Sequence, residues 1–232
     1  MLWYKSWLET RVRLVFLIAV LGFMLFVEHS RQQSNAVSPG KGVVTALVMM
    51  TLINVVVVSA VLGGAGIATQ PSLAVQRGTH GSTLYTVSLP VSRLRLLLVR
   101  TVLGWIEATG IVTLFCAGLW LFVPWLQAAM TGVEMVKYLA ALLACGSVFY
   151  CVAVLLGSFL EDQWRAWGTM FTAAALAYAS KNLHLPAFAD VFRGMALPVT
   201  AHTMPWSTMA FSLGMAAALL VATKEIVQRR EY

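Results

Sequence analysis

Tyr138-Leu-Ala-Ala-Leu-Leu-Ala-Cys-Gly-Ser-Val-Phe-Tyr-Cys-Val-Ala-Val-Leu-Leu156 runs without a single charged side chain. Crossing the hydrocarbon core of a bilayer takes roughly 20 predominantly apolar residues of α-helix. This stretch, widened to 135–159, therefore predicts a transmembrane helix. Similar blocks recur on both sides of it. Together they predict six spans, over about 12–28, 43–69, 98–123, 135–159, 164–181 and 205–224. The composition agrees, since 59% of the 232 residues are hydrophobic and 11% are charged. A mean hydropathy of +0.81 lies far outside the soluble range. No polar block is long enough for a separate soluble domain. The expectation is an all-α integral membrane protein with one transmembrane domain over residues 1–232.

The N-terminal part needs a separate reading. Lys5, Arg11 and Arg13 ahead of the apolar run from Leu14 to Val27 imitate a secretory signal. Glu28, His29 and Arg31 then stand where a small-residue cleavage site belongs. The run is read as a retained first span, preceded by an interfacial helix that carries Trp3, Trp7 and Leu8.

Orientation follows from the distribution of basic residues. With a cytoplasmic N-terminus, eleven basic residues fall inside: Lys5, Arg11, Arg13, Arg77, Arg93, Arg95, Arg100, Arg165, Lys224, Arg229 and Arg230. Five fall outside: Arg31, Lys41, Lys137, Lys181 and Arg193. Both termini are then cytoplasmic, and the net charge of +7 marks topology rather than a nucleic-acid partner. Tryptophans cluster at the borders of the spans, as indole rings favour the headgroup region. Trp105 alone stands well inside one.

The external segment 182–204 mixes Leu183, Leu185, Phe188, Val191, Phe192, Met195 and Leu197 with Pro186 and Pro198. It is too apolar for a free loop and too broken for a full span. A re-entrant element before the last helix is expected there.

Several function classes drop out. The chain has no G-x-x-x-x-G-K-[ST] segment to cradle ATP. His29, His80, His184 and His202 all lie outside the spans, so neither a membrane haem nor a metal held between helices is expected. Cys116, Cys145 and Cys151 fall within apolar blocks and read as buried small hydrophobes. No cofactor and no catalytic group are expected in this chain.

Glu107 is the one acidic residue placed well inside a span, about two turns into the third. Such a residue is costly in hydrocarbon and is a functional candidate by default. A structural group bonded to a neighbouring helix is the alternative, and both readings stand. A lone acid is too little for a proton or sodium relay, which weighs against an ion-coupled carrier. The run Gly63-Gly64-Ala65-Gly66 near the end of the second span reads as close helix packing or as a hinge.

The cytoplasmic segment 70–97 holds the most distinctive polar sequence. Leu84, Val87 and Leu89 form a short amphipathic piece that ends at Pro90, and Ser92 is placed to cap a basic helix that feeds the third span. A surface linker held on anionic membrane lipids by its basic residues has the same physics.

The stretch Gly81-Ser-Thr-x-x-Thr-x-Ser-Leu-Pro-Val-Ser-Arg93, followed by Leu-Arg-Leu-Leu-Leu-Val-Arg100, resembles the signature after the second span of type-2 ABC transporter permeases. The layout of interfacial helix, six spans, cytoplasmic ends and late re-entrant element is similar as well. The resemblance implies a permease subunit, with no nucleotide-binding domain of its own, in a bacterial cytoplasmic membrane. It also implies a homo- or heterodimer with a second permease copy, and ATP hydrolysis on a partner ATP-binding subunit. Gly81, Ser82, Thr83, Leu84, Pro90, Ser92 and Arg93 fall at the positions where that family docks its ATPase. The family often places an acid shortly before this element, whereas here Gln76 and Arg77 precede Gly78-Thr79. Export is the implied direction. A non-transporting membrane scaffold that recruits a cytoplasmic protein through the same loop is the alternative. Thr51, Asn54, Ser59, Thr113, Thr172 and Tyr178 are sparse polar groups in apolar spans, which suits a hydrophobic or amphiphilic cargo and equally suits packing.

Overall fold

The computed structural model describes residues 53–64, 92–122, 126–127, 130–160, 162–183, 185–200 and 202–229, with Val15, Ile18, Ala19 and Gly22, which are helical. The described residues form helices and turns, with no strand among them. In chain order the helices are α1 (Ile53–Gly63), α2 (Arg93–Phe122), α3 (Gly132–Leu156), α4 (Asp162–Asn182), α5 (Val191–Thr200) and α6 (Trp206–Arg229). Leu94–Phe122, α3 and α6 are long and apolar enough to cross a membrane. This agrees with a helical membrane protein. At 21 residues α4 has the length, but Asp162, Gln163, Arg165, Lys181 and Asn182 crowd its ends and lower its apolarity. The expected interfacial helix, most of the first span and residues 65–91 lie outside the described residues.

Local signals set the helix limits. α2 begins at Arg93, ahead of the expected span and where the sequence places a helix capped by Ser92. The Ser92 hydroxyl accepts the Arg95 N–H at 3.4 Å, and its carbonyl accepts the Leu96 N–H at 3.1 Å. α3 begins at Gly132 rather than 135 because Thr131 and Glu134 form a capping box. Each satisfies a backbone N–H of the other that the helix leaves without a partner. The helix stops at Gly157, whose N–H closes on the Ala153 carbonyl at 2.9 Å. α6 continues past the expected 224 to Arg229, within reach of Glu225 at 3.5 Å one turn earlier.

The centre of the bundle is α3. From Cys145 to Cys151 every residue is buried, so the helix is covered on all sides there. α2, α4, α5 and α6 all pack on it. Tyr150 on α3 bonds to Thr101 near the start of α2, so these two helices run antiparallel. His202, just before α6, contacts Glu134 in the first turn of α3. α6 therefore starts at the same end of the bundle as α3 and runs parallel to it.

The buried face of α6 is small and polar, with Thr208, Ser212, Ala216 and Thr223 ahead of Val227. Its large side chains Leu213, Leu220 and Val221 point outward. Membrane helices pack this way, since lipid solvates apolar side chains and small residues let backbones approach closely.

Segment 183–204 contains a turn, closed by the Ala189 N–H on the Pro186 carbonyl at 2.8 Å, and then α5. Asp190 caps α5 by accepting the Arg193 N–H at 2.9 Å, while its carboxylate accepts the Ser180 hydroxyl of α4 at 2.7 Å. Phe192 meets Phe149 at a tilt of 52° with ring centroids 5.6 Å apart. Phe149 and Glu134 stand about 22 Å apart along α3 at 1.5 Å per residue. α5 thus begins against the interior of α3 and leads back towards its N-terminal end.

Candidate functional site

Four helices converge around Tyr150, in the half of the bundle away from Glu134. The closest approach is between backbones. A Cβ on Gly63 of α1 would lie 2.6 Å from the Gly104 carbonyl oxygen of α2. A Cβ on Gly64 would lie 2.5 Å from the Cβ of Ala153 on α3. Only residues without a side chain permit this separation, so the packing reading of the glycine run holds at Gly63 and Gly64. Ala65 and Gly66 lie outside the described residues.

Polar groups surround that seam. The Tyr150 hydroxyl donates to the Thr101 carbonyl at 2.6 Å, and Trp105 meets the Tyr150 ring edge-on at 5.1 Å. This gives a reason for the tryptophan inside a span. Arg165, in the first turn of α4, is 2% exposed. Its guanidinium donates to the Gly64 carbonyl at the end of α1, where a cation also suits the helix dipole.

Glu107 is 8% exposed and stands midway along α2. Two turns into the expected span, it stands at the middle of a helix that already begins at Arg93. Tyr150 lies within electrostatic range of both Glu107 and Arg165. Glu107 and Arg165 are thus both neighbours of the Tyr150 hydroxyl.

Beside the seam is a cavity of about 20 Å³, lined in part by Ser59, Trp105, Thr109 and Tyr150. It has room for one water molecule. The Ser59 and Thr109 hydroxyls donate to the Val55 and Trp105 carbonyls at 2.6 and 2.8 Å. Their lone pairs remain as acceptors. The chemistry of the junction is hydrogen bonding and charge compensation where α1, α2, α3 and α4 meet.

The other expected site residues fall elsewhere. Gly81, Ser82, Thr83, Leu84 and Pro90 lie outside the described residues. Ser92 is exposed and caps α2, and Arg93 is the first residue of that helix. Glu107 is about 22 Å further along the same helix. The structure therefore groups Glu107 with Tyr150 and Arg165 rather than with Ser92. Tyr150 and Arg165 were missed in the sequence. A tyrosine in mid-span, away from both headgroup belts, was the available signal for the first. Arg165 reads as an ordinary loop cation until α1 is seen to end beside it.

Comparison with known proteins returns nothing: no family model matches the chain, nor does any curated protein or solved structure.

Proposed function

We propose that the chain is the membrane-spanning permease subunit of an ATP-driven transporter of the type-2 ABC class, working as an exporter in a bacterial cytoplasmic membrane. The observation that carries this reading is the continuity of α2. The segment resembling the coupling motif leads through the Ser92 cap into one helix of 30 residues, Arg93–Phe122. That helix is about 45 Å long and contains Gly104 and Glu107. A displacement applied at its start is delivered to the seam with α1 and α3, since a helix held by continuous backbone bonds moves as a rod.

In this reading a separate ATP-binding subunit docks on residues 70–97 through Gly81, Ser82, Thr83, Leu84, Pro90, Ser92 and Arg93. Nucleotide-driven closure of that subunit shifts α2 against α1 and α3. A second permease copy, identical or related, completes the pathway, and both termini face the ATPase. The chain crosses the membrane six times, and residues 182–204 form the re-entrant element on the opposite side. The path of α5 from the interior of α3 back towards Glu134 supports that element. An apolar or amphiphilic cargo suits the apolar helix surfaces.

The test is nucleotide dependence. Purified into lipid nanodiscs, the chain alone should neither bind nor hydrolyse ATP, and hydrolysis should appear when its partner ATPase is added. Intrinsic ATPase activity in the isolated chain would end the proposal. A scaffold would bind a partner through 70–97 with no change in α1–α2 packing on nucleotide addition.

A further inference from the structure

His202 is the one non-glycine residue with positive φ among the described residues, at 53°. This left-handed conformation is disfavoured for residues with a Cβ, although histidine tolerates it better than most. Here it turns the chain between α5 and α6 so that the imidazole meets α3. Nδ1 lies 3.0 Å from Oε1 of Glu134. The other oxygen of the carboxylate, Oε2, accepts the Thr131 N–H at 2.8 Å and is 3.0 Å from the Thr131 hydroxyl. Both oxygens are thus engaged, one on the α3 cap and one on the α5–α6 connection.

Two other polar contacts hold the neighbouring chain. The Thr208 hydroxyl donates to the Ala187 carbonyl at 3.0 Å, within the same hairpin. Asp190 with Ser180 fastens the start of α5 to α4. The His202–Glu134 contact joins the hairpin to the central helix at the end opposite the Phe192–Phe149 contact, and one partner is a histidine, 58% exposed. Glu134 is the charged group that faces the ring from α3. Lys137 lies one turn further along and is exposed. The last turn of α5 and the first turn of α6 carry no titratable side chain.

We propose that His202 and Glu134 form a proton-operated latch that pins the α5–α6 connection to the N-terminal cap of α3. With the ring neutral, the contact is a single hydrogen bond from one tautomer. With the ring protonated, Nδ1 always carries a proton to donate, and an ion-pair attraction to the carboxylate is added to the bond. Acid tightens the latch and alkali loosens it. The element it holds is the hairpin whose other end reaches the interior of α3 at Phe149, so release at His202 frees a lever seated in the bundle. The latch depends only on this geometry and stands apart from the transporter reading.

The experiment uses the full chain in nanodiscs, with spin labels on cysteines placed at Val136 and Ser207. Both positions are exposed, whereas Cys116, Cys145 and Cys151 are buried and shielded from the label. The distance distribution between labels should narrow as pH falls from about 8 to about 5.5. His202→Gln, which can bond but not charge, should abolish the response, and so should Glu134→Gln. His202→Gly relieves the backbone and removes the ring, so it should leave the distribution broad at every pH. A wild-type distribution that ignores pH overturns the proposal, as does a pH response that survives in His202→Gln.

Discussion

The Tyr150 hydroxyl donates to the Thr101 carbonyl across the α2–α3 interface at 2.6 Å. It is a direct polar tie between the central helix and the helix that follows residues 70–91. Tyr150→Phe keeps the ring, and with it the Trp105 contact, and removes only the bond. Hydrogen bonds inside membrane bundles average about 0.6 kcal/mol, so a small fall in thermal stability is expected. Tyr150→Ala also discards the ring and should cost about 3–5 kcal/mol. Thermal unfolding of the two variants in the same detergent checks the order.

Gly104 and Gly110 lie on one helix in opposite circumstances. A Cβ at Gly104 meets the backbone of Gly63, whereas a Cβ at Gly110 meets nothing within 4 Å. Gly104→Ala should therefore force α1 from α2 and cost about 1–3 kcal/mol. Gly110→Ala should be neutral or stabilising by up to about 1 kcal/mol, from helix propensity alone. Equal effects at the two positions would contradict the close α1–α2 packing.

Arg165 binds the Gly64 carbonyl, just past the end of α1, from a buried position. Hydrogen bonds to charged groups contribute about 1.5–3 kcal/mol. Arg165→Ala should lower stability on that scale, and hydrogen exchange should rise first at the end of α1. Exchange that rises uniformly across all helices would show that Arg165 acts elsewhere.

The transporter account makes Glu107 a structural partner at the junction and not an ion carrier. Glu107→Gln should then leave ATP-dependent transport in place, with a change in stability but no change in its response to a proton gradient. Loss of transport with stability intact would favour an ion-coupled carrier.

Ser92→Ala should remove the α2 cap at a cost of about 0.5–2 kcal/mol. Amide exchange should speed up within the first turn, Arg93 to Leu96, and leave Glu107 protected. The comparison separates fraying of the helix end from loss of the junction.

Helix existence was legible in the sequence where a long apolar run stood alone. Tyr138–Leu156 needed no tertiary information to be read as a helix. Limits were harder, because single polar residues decide them. The α3 start is encoded in Thr131-x-x-Glu134, a visible pattern that hydropathy passes over, and Ser92 was legible as a cap. α4 shows the opposite case, since its polar ends make composition a poor guide to its role. The junction was legible only in pieces. Gly63, Gly64, Trp105 and Glu107 each stood out, but Arg165 is separated from Gly64 by 101 positions. No local pattern ties those two together. His202 gave no signal at all, because its importance rests on a φ angle and on a carboxylate 68 residues earlier.

The most direct test of the central claim is photo-crosslinking from Leu84, in the segment proposed to dock the ATPase. A benzophenone amino acid placed there in the full chain, in cells, should capture one polypeptide that carries Walker motifs. The yield should change when ATP hydrolysis is trapped with vanadate, and should fall in Arg93→Ala while the thermal stability of the bundle holds. Capture of lipid alone, or of a protein without a nucleotide site, would contradict the assignment of this chain as an ATP-driven permease.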